Sequence, residues 1–218
     1  MPGGILQVAR EGYPFILIAL ALNVITGWQE IYWLFGITCA LTLWVVWFFR
    51  DPVREIPSGG AWTIVSPADG VVIKAETVQE DKLLNAEAIK VSIFMNVFNV
   101  HVNRTPIYGR VIKVVYSPGK FFNASFDKAS LYNEQNAILM EGYGGRRIVF
   151  TQIAGLIARR IVCRAKEGME LNCGERFGLI RFGSRLDVYL PLDTEIAVKV
   201  GDKVNAGTSI IGRWHQVQ

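Results

Sequence analysis

Hydrophobic positions fall into two regimes along this chain. In the first fifty residues they run on without alternation. Residues 14–25 (PFILIALALNVI) form a short apolar stretch, and residues 31–49 (IYWLFGITCALTLWVVWFF) form one of about nineteen residues with no charge. Nineteen apolar residues match the length of a helix crossing a bilayer core. The first stretch is short for a full span, and a re-entrant or interfacial course stays open for it. Between them Thr26-Gly27-Trp28-Gln29-Glu30 reads as a polar turn with an interfacial tryptophan. Arg10 precedes the pair and Arg50 and Arg54 follow it, so both outer ends belong on the cytoplasmic side. No small-residue cleavage site separates the stretches, which argues against a secretory signal. The expected arrangement is a transmembrane helical hairpin over residues 1–54.

From Trp62 onward the apolar positions break into short Val/Ile-rich runs of β character. Runs such as WTIVSPADGVVIKAE, AIKVSIFM, GRVIKVVYSPG, RRIVFTQIAG and RLDVYLPL are separated by Gly, Pro and Asp turns. Many short strands at close spacing predict a mainly β domain over 55–218, a sandwich or barrel. Residues 153–162 are open to a short helix or a further strand. SPADGVVIKAE and IAVKVGDKVNAGTSI each place a strand beside an Asp-Gly or Gly-Asp turn. The second resembles the closing hairpin of biotinyl/lipoyl carrier domains, so a barrel-sandwich-like fold is expected. The carrier's modifiable lysine between two methionines is absent. Residues 117–136 (SPGKFFNASFDKASLYNEQN) make the longest irregular stretch, and loops of that length are commonly functional.

Composition adds little to this division. The hydrophobic fraction of 51% is concentrated in the N-terminal stretches. Arg10, Glu11, Glu30 and Arg50 cancel, so the net charge of +4 belongs to the β domain. That excess suits an anionic membrane surface or substrate. No basic run interleaved with aromatics points to nucleic acid. Cys39, Cys163 and Cys173 lack C-x-x-C spacing and read as reduced structural thiols, with neither a disulfide framework nor a metal site.

The chemistry concentrates in a few residues. Gly183-Ser184 lies between the strand-like FGLI and RLDVYLP. On its own such a pair is an ordinary bend, but a serine hydroxyl can also attack the carbonyl before it. The resulting ester can eliminate to leave a pyruvoyl-blocked fragment, and glycine tolerates the backbone this requires. A base must take the serine proton. His101, in FMNVFNVHVNRTP, is the better candidate of two histidines, His215 being near the C-terminus. Alternation there places Asn99, His101 and Asn103 on one face. Asp69, in SPADG, reads either as a hairpin turn residue or as the carboxylate that orients the histidine.

SPADG, FNVHVNR, SPGKFFNAS, NEQN, QIAGLIARRIV and RFGSRLDVYLP, in that order, resemble the short bacterial and archaeal phosphatidylserine decarboxylases. The resemblance implies a proenzyme cleaved between Gly183 and Ser184 into chains 1–183 and 184–218. It implies a pyruvoyl cofactor derived from Ser184, catalytic residues Asp69, His101 and Ser184, and decarboxylation through a Schiff base with the substrate amine. The implied partners are phosphatidylserine, membrane lipid and the two chains themselves, as a heterodimer or within a higher oligomer. The implied location is the cytoplasmic face of the inner membrane. The serine head group is shared by ester- and ether-linked lipids, so the lipid backbone stays open. One departure concerns the histidines: the long-form enzymes carry H-x-x-H in this strand, where this chain has His101 and Arg104. Either His101 serves both self-cleavage and decarboxylation, or Asp69 acts on Ser184 through another group. Lys120, Arg159 and Arg160 are candidates for lipid phosphate. The rival reading is a non-enzymatic membrane adaptor carrying a barrel-sandwich module.

Overall fold

A computed structural model describes residues 7–125, 132–156, 160–181 and 183–215. The chain divides into two units, Met1–Val53 and Arg54–Gln218.

The first unit holds helices α1 (Tyr13–Trp28) and α2 (Tyr32–Phe48). Pro14 lies in the first turn of α1, where its missing N–H costs nothing. α1 continues through Thr26-Gly27-Trp28, which the sequence pattern assigned to the turn. The Thr26 hydroxyl donates to Leu22 O at 2.9 Å, so this polar residue is satisfied inside the helix. The turn is confined to residues 29–31, with Glu30 at φ 55°. With the 3-10 turn before it, the first helical stretch covers Arg10–Trp28, nineteen residues, and α2 has seventeen. The first stretch, not the second, is therefore the one of full spanning length.

The two helices meet along a polar seam. Asn23 Nδ2 donates to Thr42 Oγ1 at 2.6 Å, the Thr38 hydroxyl donates to Asn23 Oδ1 at 3.0 Å, and Thr26 and Thr38 share a hydrogen bond of 3.2 Å. These threonines are buried, whereas Leu17, Ile18, Val24, Trp33 and Leu43 are exposed. Polar groups inside and apolar groups outside invert the order of a water-soluble helix pair.

The second unit is built from short strands. In chain order these are β1 (Thr63–Val65), β2 (Gly70–Glu80), β3 (Ala86–Met95), β4 (Val102–Arg104), β5 (Gly109–Ser117), β6 (Gln135–Glu141), β7 (Arg147–Ile153), β8 (Ile161–Cys163), β9 (Glu170–Leu171), β10 (Arg176–Ile180), β11 (Ser184–Leu190), β12 (Glu195–Ile196), β13 (Lys203–Val204) and β14 (Ile210–Arg213). Among the described residues they form one large sheet, β13-β2-β3-β11-β7-β6-β5-β9, and two small ones, β1-β14-β12 and β4-β10-β8. The pairings are antiparallel, and the large sheet curls into a half-barrel. All three sheets contribute to one core: Ile64 and Ile211 from the first small sheet, Phe177 and Ile180 from the second, and Val72, Ile93, Phe150 and Val188 from the large one.

β11 is central, hydrogen-bonded to β3 on one side and β7 on the other. Alternation sends Leu186, Val188 and Leu190 into the core and Arg185, Asp187 and Tyr189 to the opposite face. That second face is also covered. Leu83 and Leu84, at the β2–β3 tip, pack on Ala137, Leu139, Val149 and Tyr189. The Glu80 carboxylate fixes the tip by accepting the backbone N–H groups of Lys82, Leu83 and Leu84. Burial keeps the Tyr189 hydroxyl neutral far above its usual range.

Arg185 and Asp187 have fully buried side chains and form a bidentate pair, at 2.6 and 2.7 Å. Removing one partner of such a pair strands a charge in low dielectric and typically costs about 3–5 kcal/mol. Asp187→Ala is therefore expected to lose about that much stability. Urea titration in an uncleavable Ser184→Ala background, where one chain unfolds, measures the loss.

Two sequence expectations change here. SPADG is not a hairpin turn, because β1 pairs with β14 whereas β2 pairs with β13 and β3. Residues 66–69 instead carry the chain from one sheet to another. The carrier-like closing segment is likewise no simple hairpin. Its Lys203-Val204 pairs with Val71 and Gly70, so the two similar Asp-Gly and Gly-Asp segments pair with each other.

Candidate active site

Ser184 opens β11 opposite Met95, the last residue of β3. Its side chain is fully buried, and Oγ has no hydrogen-bond partner among the described residues. A buried hydroxyl left in that state costs free energy unless something uses it. The residue before it, Gly183, has φ 65°, a left-handed conformation that glycine adopts without strain. A Cβ at Gly183 would meet nothing within 4 Å, so conformation and not space calls for glycine there.

His101 arrives at this bend from the loop after β3. Asn96 and Asn99 build the loop: Asn99 Oδ1 accepts Asn96 N–H at 2.9 Å, and Asn96 Oδ1 accepts Phe98 N–H at 2.9 Å. The expected alternation across 98–103 therefore fails. Residues 96–99 are turn, β4 begins only at Val102, and Val100 and His101 are both buried. His101 is consequently no polar-face surface residue. Its Nδ1 lies 2.9 Å from Asn99 O, and Gly183 N–H points at Nε2 across 3.4 Å. This network assigns the ring proton to Nδ1 and makes the Nε2 lone pair the acceptor of Gly183 N–H.

Beneath the histidine lies a run of buried amides. Gln152 Nε2 donates to Asn103 Oδ1 at 2.9 Å, and Asn136 Nδ2 donates to Gln152 Oε1 at 3.2 Å. The run links β4, β7 and β6. Asn103 was visible in the sequence as a neighbour of His101. Gln152 and Asn136 were present only inside longer motifs, and the cue for them is a polar residue at a core position of a strand.

Asp69 sits just before β2. Its Oδ2 takes Arg54 Nη2 at 2.8 Å and its Oδ1 accepts Ala206 N–H at 2.7 Å. The β2–β3–β11 register places the start of β2 two strands from Ser184, about 10 Å across the sheet. Arg54, read from the sequence as a topogenic charge, thus also neutralises Asp69. Arg104, in place of the second histidine, is buried and donates to Gly174 O at 3.1 Å. Of the three predicted catalytic residues, His101 is hydrogen-bonded at the Gly183–Ser184 bend, and Asp69 is held between Arg54 and Ala206.

The long loop is tied at its base. Asn133 Nδ2 donates to Phe122 O and Ala154 O at 2.8 and 2.7 Å, and its Oδ1 accepts Phe122 N–H at 2.8 Å. Lys120 and Arg160 are exposed. Arg159, Phe126 and Phe182 lie outside the described residues. Cys163 and Cys173 are free thiols, and burial raises both above the usual range, Cys173 to about 11.

A buried serine, a left-handed glycine and an imidazole thus meet at one backbone bend. A sequence model described as phosphatidylserine decarboxylase matches residues 41–212. Similar proteins named phosphatidylserine decarboxylase proenzyme include one from Syntrophus aciditrophicus, 52% identical over 209 residues (95% of this chain, 97% of that protein). Others come from Magnetococcus marinus, 48% identical over 209 residues (94% of each chain), and Desulfotalea psychrophila, 48% identical over 206 residues (94% and 96%). The chain belongs to the phosphatidylserine decarboxylase family.

Proposed function

We propose that this protein is a phosphatidylserine decarboxylase, converting phosphatidylserine to phosphatidylethanolamine with a pyruvoyl group made from its own Ser184. The observation that carries this reading is the approach of Gly183 N–H to His101 Nε2 beside the buried Ser184 hydroxyl. A membrane adaptor has no use for that arrangement.

His101 Nε2 releases the Gly183 N–H and takes the Ser184 hydroxyl proton, and Oγ bonds to the Gly183 carbonyl carbon. The Gly183–Ser184 C–N bond breaks, and the imidazolium returns the proton to the departing nitrogen. Loss of the Ser184 Cα proton then expels Gly183 as a carboxylate. Water displaces ammonia from the remaining unsaturated residue to leave a keto group. Once formed, that group supplies an electron sink for CO2 loss from an amine-bearing substrate. His101 then holds a proton for the carbon that CO2 has left. Exposed Lys120 and Arg160 supply positive charge for lipid phosphate, with Arg159 next to Arg160 in sequence.

After cleavage the two chains stay together as a heterodimer. β11 remains between β3 and β7, β13 remains paired with β2, β14 with β1, and Asp69 keeps its bond to Ala206. The β2–β13 pairing of the two similar turn segments supports kinship with barrel-sandwich carrier domains.

The helix pair is a transmembrane hairpin with the β domain, 55–218, on the cytoplasmic face of the cell membrane. Its inverted polarity and flanking arginines support this placement. Deleting residues 1–53 is expected to leave a domain that still cleaves itself but turns over phosphatidylserine in vesicles poorly. Fractionation after a high-salt wash, with a vesicle assay, checks both halves. A truncated protein that stays on membranes would place the anchor elsewhere. The activity itself is tested by adding the purified protein to phosphatidylserine vesicles. Ethanolamine lipid should form, and borohydride, which reduces keto groups and their imines, should abolish its formation. Turnover that borohydride leaves intact would contradict the pyruvoyl reading.

A further inference from the structure

Gly155 lies two residues beyond the end of β7, in a motif whose individual roles the sequence left unassigned. A Cβ built on Gly155 would stand 1.9 Å from Gly183 O and 2.9 Å from Gly183 C. The carbonyl it meets belongs to the peptide bond that joins Gly183 to Ser184. The other nearby atom, Ala124 Cβ, is in ordinary contact at 3.4 Å. Unlike Gly183, Gly155 has no left-handed φ, so alanine suits its backbone and only the carbonyl stands in the way.

Neither side of this contact can yield easily. Ala154, immediately before Gly155, is fully buried; its N–H donates to Glu134 O at 3.0 Å, and its carbonyl accepts Asn133 Nδ2 at 2.7 Å. On the other side the carbonyl leads into Ser184, the first residue of β11, which is paired with Met95 at the end of β3. The shortfall from normal contact exceeds 1 Å. A displacement of that size near reacting atoms can cost on the order of 10²-fold in rate.

We infer that Gly155 is a positioning residue for self-cleavage: its bare Cα seats the Gly183 carbonyl that Ser184 Oγ attacks. The two glycines flank one carbonyl for different reasons, Gly183 for its φ and Gly155 for the missing side chain. In the step concerned, the Oγ–C bond forms, the C–N bond breaks, and the hydroxyl proton passes to the nitrogen. A side chain at 155 pushes the carbonyl carbon out of line with Oγ before any of this begins. The inference rests on the cleavage site proposed above.

The test follows conversion of the full chain to two fragments by intact mass over time, with and without hydroxylamine, which cleaves esters. Gly155→Ala is expected to process on the order of 10²-fold more slowly than wild type. Hydroxylamine should not restore it, because the ester itself fails to form. Gly155→Ala/Ala124→Gly should stay equally slow, because relieving Ala124 leaves the carbonyl contact in place. Gly155→Ala/Ser184→Ala should unfold within a few degrees of Ser184→Ala, since the clash is local. Wild-type processing in Gly155→Ala would overturn the inference. So would rescue by Ala124→Gly or by hydroxylamine, or global unfolding of the double variant. A wild-type protein that never cleaves would instead sink the cleavage-site reading beneath it.

Discussion

Ser184→Ala is expected to leave the 218-residue chain whole and without decarboxylase activity. The hydroxyl is the proposed nucleophile and the source of the keto group, so no other residue can replace either role. The fold should tolerate the change, because Ser184 Oγ is buried without a hydrogen-bond partner among the described residues. Deleting a hydroxyl from such a position removes a desolvated polar atom and breaks no bond in the network. Loss of processing with undiminished thermal stability is thus the expected signature, read on a gel and by a thermal scan. Full-length protein with normal turnover would show that catalysis does not pass through Ser184.

His101→Ala is expected to slow processing by on the order of 10²- to 10⁴-fold, the usual range for loss of a positioned acid–base group. The reason lies in the orientation of the ring: Asn99 O fixes Nδ1, and Nε2 faces Gly183 N–H. The fraction that does cleave, separated and assayed for ethanolamine lipid, reports the second role. A normal rate per cleaved molecule would confine His101 to self-cleavage. Normal cleavage with lost turnover would make it the proton donor after CO2 leaves. Asp69→Ala separates the remaining possibility. Slowed processing is expected there too, and its coupling to His101 decides whether Asp69 acts through the imidazole or by holding the 206 loop. Wild-type behaviour of His101→Ala in both steps would remove the residue from the mechanism.

Much of this architecture was legible in the residues. Short Val/Ile-rich runs bounded by Gly, Pro and Asp turns located β2, β3, β5, β7 and β11, because strands buried on both faces read as short apolar runs. Unbroken apolar runs located the helix pair but ended the first helix three residues early. A threonine that bonds its own helix backbone looks like a turn residue when only its polarity is read. The error around His101 has a similar source: Asn96 and Asn99 fold the chain into a turn through their side chains, so the apparent alternation there carries no strand.

The site was legible in part. Gly183, Ser184 and His101 stood out because their chemistry is unusual for a β-rich chain. Partners set by tertiary contact were not. Asp69 lies fifteen residues from Arg54 and 137 from Ala206, and no local pattern joins them. Gln152 matters through Asn103 on β4 and Asn136 on β6, and Gly155 through the Gly183 carbonyl, relations that no local pattern carries.

The intact mass of the purified wild-type protein tests the central claim most directly. Two masses are predicted. One is that of residues 1–183 with an ordinary carboxyl terminus. The other is that of residues 184–218, lighter by one ammonia than a serine-terminated fragment and gaining two hydrogens on borohydride reduction. A single mass for the complete chain in an actively decarboxylating preparation would contradict it.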